Sequence, residues 1–150
     1  MDIEKEIQQK KFRNPHQKAM VNVLFTAAWL NQRNAQSLKP FEISVQQFNI
    51  LRILRGMHPE PASVKLLTER MIDKMSNASR LVEKLKSKGL VERRSCTEDR
   101  RRVNIRITPK GLDLLQKASD AIKQDEDMIA DSLSLEEANL LSDLLDHMRT

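Results

Sequence analysis

A chain of 150 residues, 39% of them hydrophobic, is long enough to build a core without disulfides or metal, and a single compact domain is the expectation. Its one cysteine, Cys96, excludes an internal disulfide framework and a multi-cysteine zinc site, and suits a reducing, cytoplasmic compartment. No apolar run approaches the roughly 18 residues of a spanning helix, and the acidic, Gln-rich start from Met1 to Gln9 lacks a signal-peptide core, so no membrane partner is expected.

The net charge of +5 is unevenly spread. Residues 80–110 hold 11 Lys/Arg against 4 Asp/Glu, whereas residues 112–150 hold 3 against 10, so a basic centre precedes an acidic C-terminal stretch. With four Phe, one Trp and no Tyr, the core must come from Leu, Ile, Val, Met and Ala, a composition that favours helices.

Asn14-Pro15-His16-Gln17 is a helix start: Asn caps, Pro takes the first helical position and Gln reaches back. Met20, Val23, Leu24, Ala27 and Leu30 follow at helical spacing until Pro40 stops the run. Ser44 and Gln47 form a capping box for a second helix, with Val45, Phe48, Leu51 and Leu54 on one face and Ile50 and Ile53 on another; it ends near Gly56. Pro59 and Pro61 mark a turn, and Ser63 caps a short helix carrying Val64, Leu66, Leu67 and Met71. A further helix is expected from Asp73, burying Ala78, Leu81, Val82 and Leu85, with Gly89 closing it in a left-handed conformation.

The period then changes from helical to alternating. Val91 and Arg93, then Val103, Ile105 and Ile107, alternate with Glu92, Arg94, Asn104 and Arg106, which predicts two strands joined by the charged loop Ser95 to Arg102. Thr108-Pro109 restarts a helix with Leu112, Leu115, Ala118, Ile122 and Ile129 as its stripe. Ser134 and Glu137 cap a last helix bearing Leu140, Leu141, Leu144, Leu145 and Met148.

Two short helices joined by a tight turn and followed by a β-hairpin describe a helix-turn-helix with a wing, and its residue chemistry suits duplex DNA. Asn77 can pair with an adenine edge and Arg80 with guanine, while Ser76, Ser79 and Lys84 can reach phosphate or base. The hairpin tip, Asp99-Arg100-Arg101-Arg102, offers three guanidiniums to the backbone or a narrow minor groove, with Asp99 placed to orient Arg101. The Ser63 hydroxyl, besides capping, can touch phosphate.

The strings Ser76-Asn77-Ala78-Ser79-Arg80-Leu81-Val82, Leu85, Gly89-Leu90-Val91-Glu92-Arg93-Arg94, Asp99-Arg100-Arg101 and Ile107-Thr108-Pro109-Lys110-Gly111 carry a resemblance over 36 residues. In residue type and spacing they resemble the winged helix of the multiple antibiotic resistance regulator (MarR) family. The resemblance implies a mainly α fold with a small β-wing, in which residues 44–111 form the winged helix-turn-helix and residues 1–40 and 112–150 supply dimerisation helices. It further implies a homodimer on a near-palindromic operator, with half-sites ~34 Å apart. A repressor that releases DNA when a small phenolic or lipophilic effector binds is the implied activity.

Phe25, Trp29, Phe48 and Met57 are the candidates for lining an effector pocket, although apolar residues at helical spacing are more often core. Cys96 lies in the wing beside arginines that could lower its thiol pKa, but peroxide-sensing relatives place their reactive cysteine near the N-terminal helix with Tyr partners, and this chain has no Tyr. His16, His58 and His147 are scattered, so no metal site or cofactor is expected. An enzyme is not expected either: there is no Ser/His/Asp set, no Gly-rich phosphate loop and no paired carboxylates. The alternatives left open are a winged helix used for protein contact and a ligand-independent architectural DNA binder.

Overall fold

Six of the helix starts are set by side chains that satisfy the otherwise unpaired amides of a first turn. In the computed structural model, which describes residues 1–95, 98–99 and 103–150, Asn14 accepts the amide of Gln17 at 2.8 Å and opens α2 (Pro15–Leu38). Reciprocal capping boxes open α3 (Val45–Met57) at Ser44/Gln47 and α7 (Leu135–Met148) at Ser134/Glu137. The Glu137 carboxyl is held below the usual glutamate value because it accepts the Ser134 amide. Ser63 caps α4 (Val64–Arg70), and Thr108, followed by Pro109, caps α6 (Pro109–Ser132).

A short α1 (Ile3–Glu6) precedes these, and a 3-10 turn, Lys39–Phe41, follows α2 where Pro40 removes an amide donor. The strands β1 (Val91–Ser95) and β2 (Val103–Ile107) pair antiparallel, with Val91 opposite Ile107 and Ser95 opposite Val103. Ala62 adds a one-residue bridge to the outer edge of β2, exchanging hydrogen bonds of 2.9 and 2.8 Å with Ile105.

The helix expected from Asp73 starts five residues later, as α5 (Ala78–Ser87), with Asn77 as its cap. Asp73 spends its capping capacity on a local turn, accepting the amide of Met75 at 3.0 Å through its carboxylate and that of Ser76 at 3.2 Å through its carbonyl. Starting at Ala78 still buries Ala78, Val82 and Leu85 on one face. Gly89, at φ +72, ends the helix, and the Leu90 amide reaches back to the Leu85 carbonyl at 3.0 Å in the six-to-one bond of a glycine-terminated helix.

One apolar cluster spans Leu38 to Ala118 and is built around α3, which contributes Ile50, Leu51 and Leu54 and packs on α2, α4, α5, α6 and β2. Of α2 only Leu38 is fully buried, and α7 buries no residue at all. The ends of the chain therefore carry apolar helices that the described residues leave uncovered: Leu24 is 64% exposed and Leu144 55%. A second tie joins α2 to α6, where the Asp125 carboxylate accepts from Arg33 at 3.0 Å and from Ser37 at 2.7 Å, with the guanidinium also stacked over Trp29.

Candidate nucleic-acid interface

The α5 helix presents two chemically opposite faces. Ala78, Val82 and Leu85 are buried against α3 and β1, with Leu81 half-buried beside them, so the polar residues between them point outward. Ser79, Arg80 and Lys84 are exposed, and neither Arg80 nor Lys84 has an ion-pair partner among the described residues. A helix with an anchored apolar face and uncommitted cations opposite has the size and charge to enter a major groove.

The neighbouring elements hold α5 in place. Arg93 on β1 pairs with Glu83, while Lys88 at the end of α5 donates to the carbonyl of Glu42. Where α5 turns into β1, the Thr108 hydroxyl donates to the Gly89 carbonyl at 2.7 Å and the Thr108 amide to Leu90 at 3.1 Å. The wing strands thus return onto the foot of the helix and are tied to it at both of these points.

Several sequence-predicted residues take more specific places than expected. Asn77 is exposed, but its carboxamide oxygen accepts the Arg80 amide at 3.1 Å, so it acts as the cap of α5 while its amide NH2 has no acceptor among the described residues. Ser76 is half-buried, and its hydroxyl is enclosed with no partner among the described residues, so it is not part of the outer face. The Ser63 hydroxyl accepts the Leu66 amide at 3.1 Å and borders a shallow polar hollow with Lys65, Glu69 and Asn104. Asp99 is exposed; Cys96, Arg100, Arg101 and Arg102 lie outside the described residues, and with them the orienting role expected of Asp99.

The four residues expected to line an effector pocket fall in two places. Phe25 and Trp29 line a hollow of about 440 Å³ between α1 and α2, together with Ile3, Asn22 and Thr26. Phe48 and Met57 pack against the central core. Sequence reasoning passed over Asn49, a buried polar residue of α3 whose side-chain oxygen accepts the Ile72 amide at 2.9 Å and so fixes the turn that leads into α5. Its only sequence signal is an Asn among the apolar residues of a helix.

Comparison with known proteins places this geometry. The MarR family model matches residues 43–103, from the start of α3 into the wing. The MarR transcription factor from Planctomyces limnophilus is 29% identical, with a TM-score of 0.69 over 91% of this chain and 98% of that one. The S. aureus MepR–DNA complex shares the fold at 21% identity and a TM-score of 0.78, over 92% of this chain and 97% of that one. The organohalide-sensing transcriptional regulator RdhR, in its 2,4-dichlorophenol-bound form, shares it at 19% identity and a TM-score of 0.81, over 94% and 85%. The family match over the helix-turn-helix, set in a fold shared along nearly the whole length of the Planctomyces protein, makes this chain similar to the winged-helix proteins of the MarR family.

Proposed function

We propose that the chain is a homodimeric transcriptional regulator, not an enzyme, that binds duplex DNA sequence-specifically in the cytoplasm and represses nearby genes until a small ligand releases it. The observation that carries this reading is the α5 face: Ser79, Arg80 and Lys84 stand exposed on a helix whose other side is locked to the core. The N-terminal turns of such a helix meet base edges, and its cations neutralise phosphates. The arginines of the wing tip, Arg100, Arg101 and Arg102, are assigned to the backbone or minor groove on sequence grounds.

Dimerisation is supported by the uncovered apolar surface of α2 and α7, where Met20, Leu24, Leu140, Leu141 and Leu144 are all exposed. The hollow beside Phe25 and Trp29 has the volume of a small-molecule site, and its mixed lining, with Glu6, Asn22 and Thr26 beside the two rings, suits a phenolic compound better than a purely lipophilic one. The S. aureus MepR structure is of a DNA complex and the RdhR structure is of a dichlorophenol-bound form, which lends both readings support. Anisotropy titrations of the chain against duplexes from its own upstream region, across salt concentrations, test the proposal. Affinity should fall steeply as salt rises, with a preferred duplex standing above the rest. The absence of any salt-dependent duplex binding would refute it.

A further inference from the structure

The turn between α4 and α5 carries apolar side chains where a solvated turn has no use for them. Met75 is 92% exposed and Ile72 80%. Single exposed apolar residues are ordinary on protein surfaces, but this turn is also pinned at three points. Asn49 accepts the amide of Ile72 at 2.9 Å, and the Asp73 carboxylate accepts that of Met75 at 3.0 Å. The Ser76 amide donates to the Asp73 carbonyl at 3.2 Å. The backbone is therefore held on both sides of Met75 while its thioether chain stands in solvent.

Its surroundings indicate the partner. Lys74 is exposed in the same turn, Asn77 caps α5 two residues beyond Met75, and the exposed Ser79 and Arg80 follow. A basic surface of this kind attracts polyanions, and the apolar group that duplex DNA displays in its major groove is the C5-methyl of thymine. In a helix-turn-helix the N-terminal end of the second helix meets the base edges, and Met75 stands at that end. We propose that Met75 is a specificity-determining residue that reads thymine by packing against its C5-methyl group. The proposal rests on the DNA-binding reading above.

Duplexes selected from a random pool by the full chain are remade with deoxyuridine at each thymine in turn, which removes the methyl and leaves every hydrogen-bonding group in place. The expected result is a loss of about fourfold in wild-type affinity at one or two thymine positions in each half-site, the scale of one buried methyl. Met75→Ala should bind the thymine duplex more weakly by a similar factor and lose nothing further with deoxyuridine, whereas Met75→Leu should keep the discrimination. An unchanged melting temperature for both variants verifies the fold, since the side chain is 92% exposed among the described residues. Duplex binding in which Met75→Ala keeps the full wild-type sensitivity to deoxyuridine, or in which the wild type has none, overturns the proposal alone. Failure of every protein to bind any duplex overturns the DNA-binding reading and this proposal together.

Discussion

Gly111 and Leu90 approach so closely that a Cβ added to Gly111 would lie 2.2 Å from the Leu90 carbonyl oxygen, with the Ile107 Cγ1 at 2.8 Å. That contact brings the first turn of α6 onto the α5–β1 junction, where Thr108 already bonds to Gly89 and Leu90. Because the obstacle is backbone, it cannot rotate away as a side chain would. Gly111→Ala should therefore destabilise the protein by about 2 to 3 kcal/mol despite the better helix propensity of alanine. Gly56→Ala is the control: nothing lies within 4 Å of a Cβ at Gly56 in α3, so that substitution should stabilise by roughly 0.5 to 1 kcal/mol. Urea denaturation of the two variants reads the contrast directly.

Asn77 caps α5, and the proposed recognition role falls on a different atom of the same carboxamide. Its oxygen caps α5, and its NH2 is left to donate outward. Asn77→Ala should cost about 1 kcal/mol of stability through the lost cap, together with a loss of DNA affinity. Asn77→Asp separates the two roles, because aspartate caps as well as asparagine but brings negative charge and no donor toward the DNA. Its melting temperature should match the wild type while duplex affinity falls at least tenfold. Equal affinity for Asn77→Asp and wild type would leave Asn77 as a cap alone.

What could be read in advance was what is local in sequence. The caps at Asn14, Ser44, Ser63, Thr108 and Ser134 each bond three residues ahead, so side chain and target share one short string. The switch from helical to alternating spacing after Gly89 likewise marked the wing. The start of α5 was misplaced because Asp73 and Asn77 are both capping residues, and only burial of the Ala78 face against α3 decides between them. Ser76 looked outward-facing for the same reason. The Ala62 bridge to Ile105 left no trace in the pattern, since it consists of backbone groups alone. Nor did the separation of Phe25 and Trp29 from Phe48 and Met57, because periodicity marks a residue as apolar without saying which apolar space it enters.

The Arg33–Asp125 pair joins residues 92 apart in the chain and is the main polar tie between α2 and α6. The Asp125 side chain is 10% exposed and that of Arg33 37%, so truncating the acid strands a cation that keeps part of its hydration. Asp125→Ala should therefore cost about 2 kcal/mol, less than the loss of one partner from a fully buried pair. Arg33→Met should cost at least as much, because it strands the more buried carboxylate with the Ser37 hydroxyl as its remaining donor. A double-mutant cycle in chemical denaturation should return a coupling of about 1 kcal/mol; additivity of the two substitutions would reduce the contact to an incidental surface pair.

The exposed stripe of α7 gives the clearest separation of folding from assembly. Leu140, Leu141 and Leu144 are 58%, 47% and 55% exposed, and the core that holds the winged helix together ends at Ala118. A charge placed on this stripe meets no partner among the described residues, so it should leave the fold intact and act only between chains. In the proposed homodimer, Leu141→Glu combined with Leu144→Glu should shift the protein from dimer to monomer in sedimentation equilibrium at micromolar concentration, while its helical circular dichroism stays within a few per cent of wild type. The melting temperature should lose its dependence on protein concentration, since mass action no longer contributes. Binding to a two-half-site duplex should weaken by at least a hundredfold and approach that for a single half-site, because two tethered domains act at a high effective concentration and two free ones do not. A variant that remains dimeric would move the interface off α7, and a variant that unfolds would make the helix part of the monomer's own core.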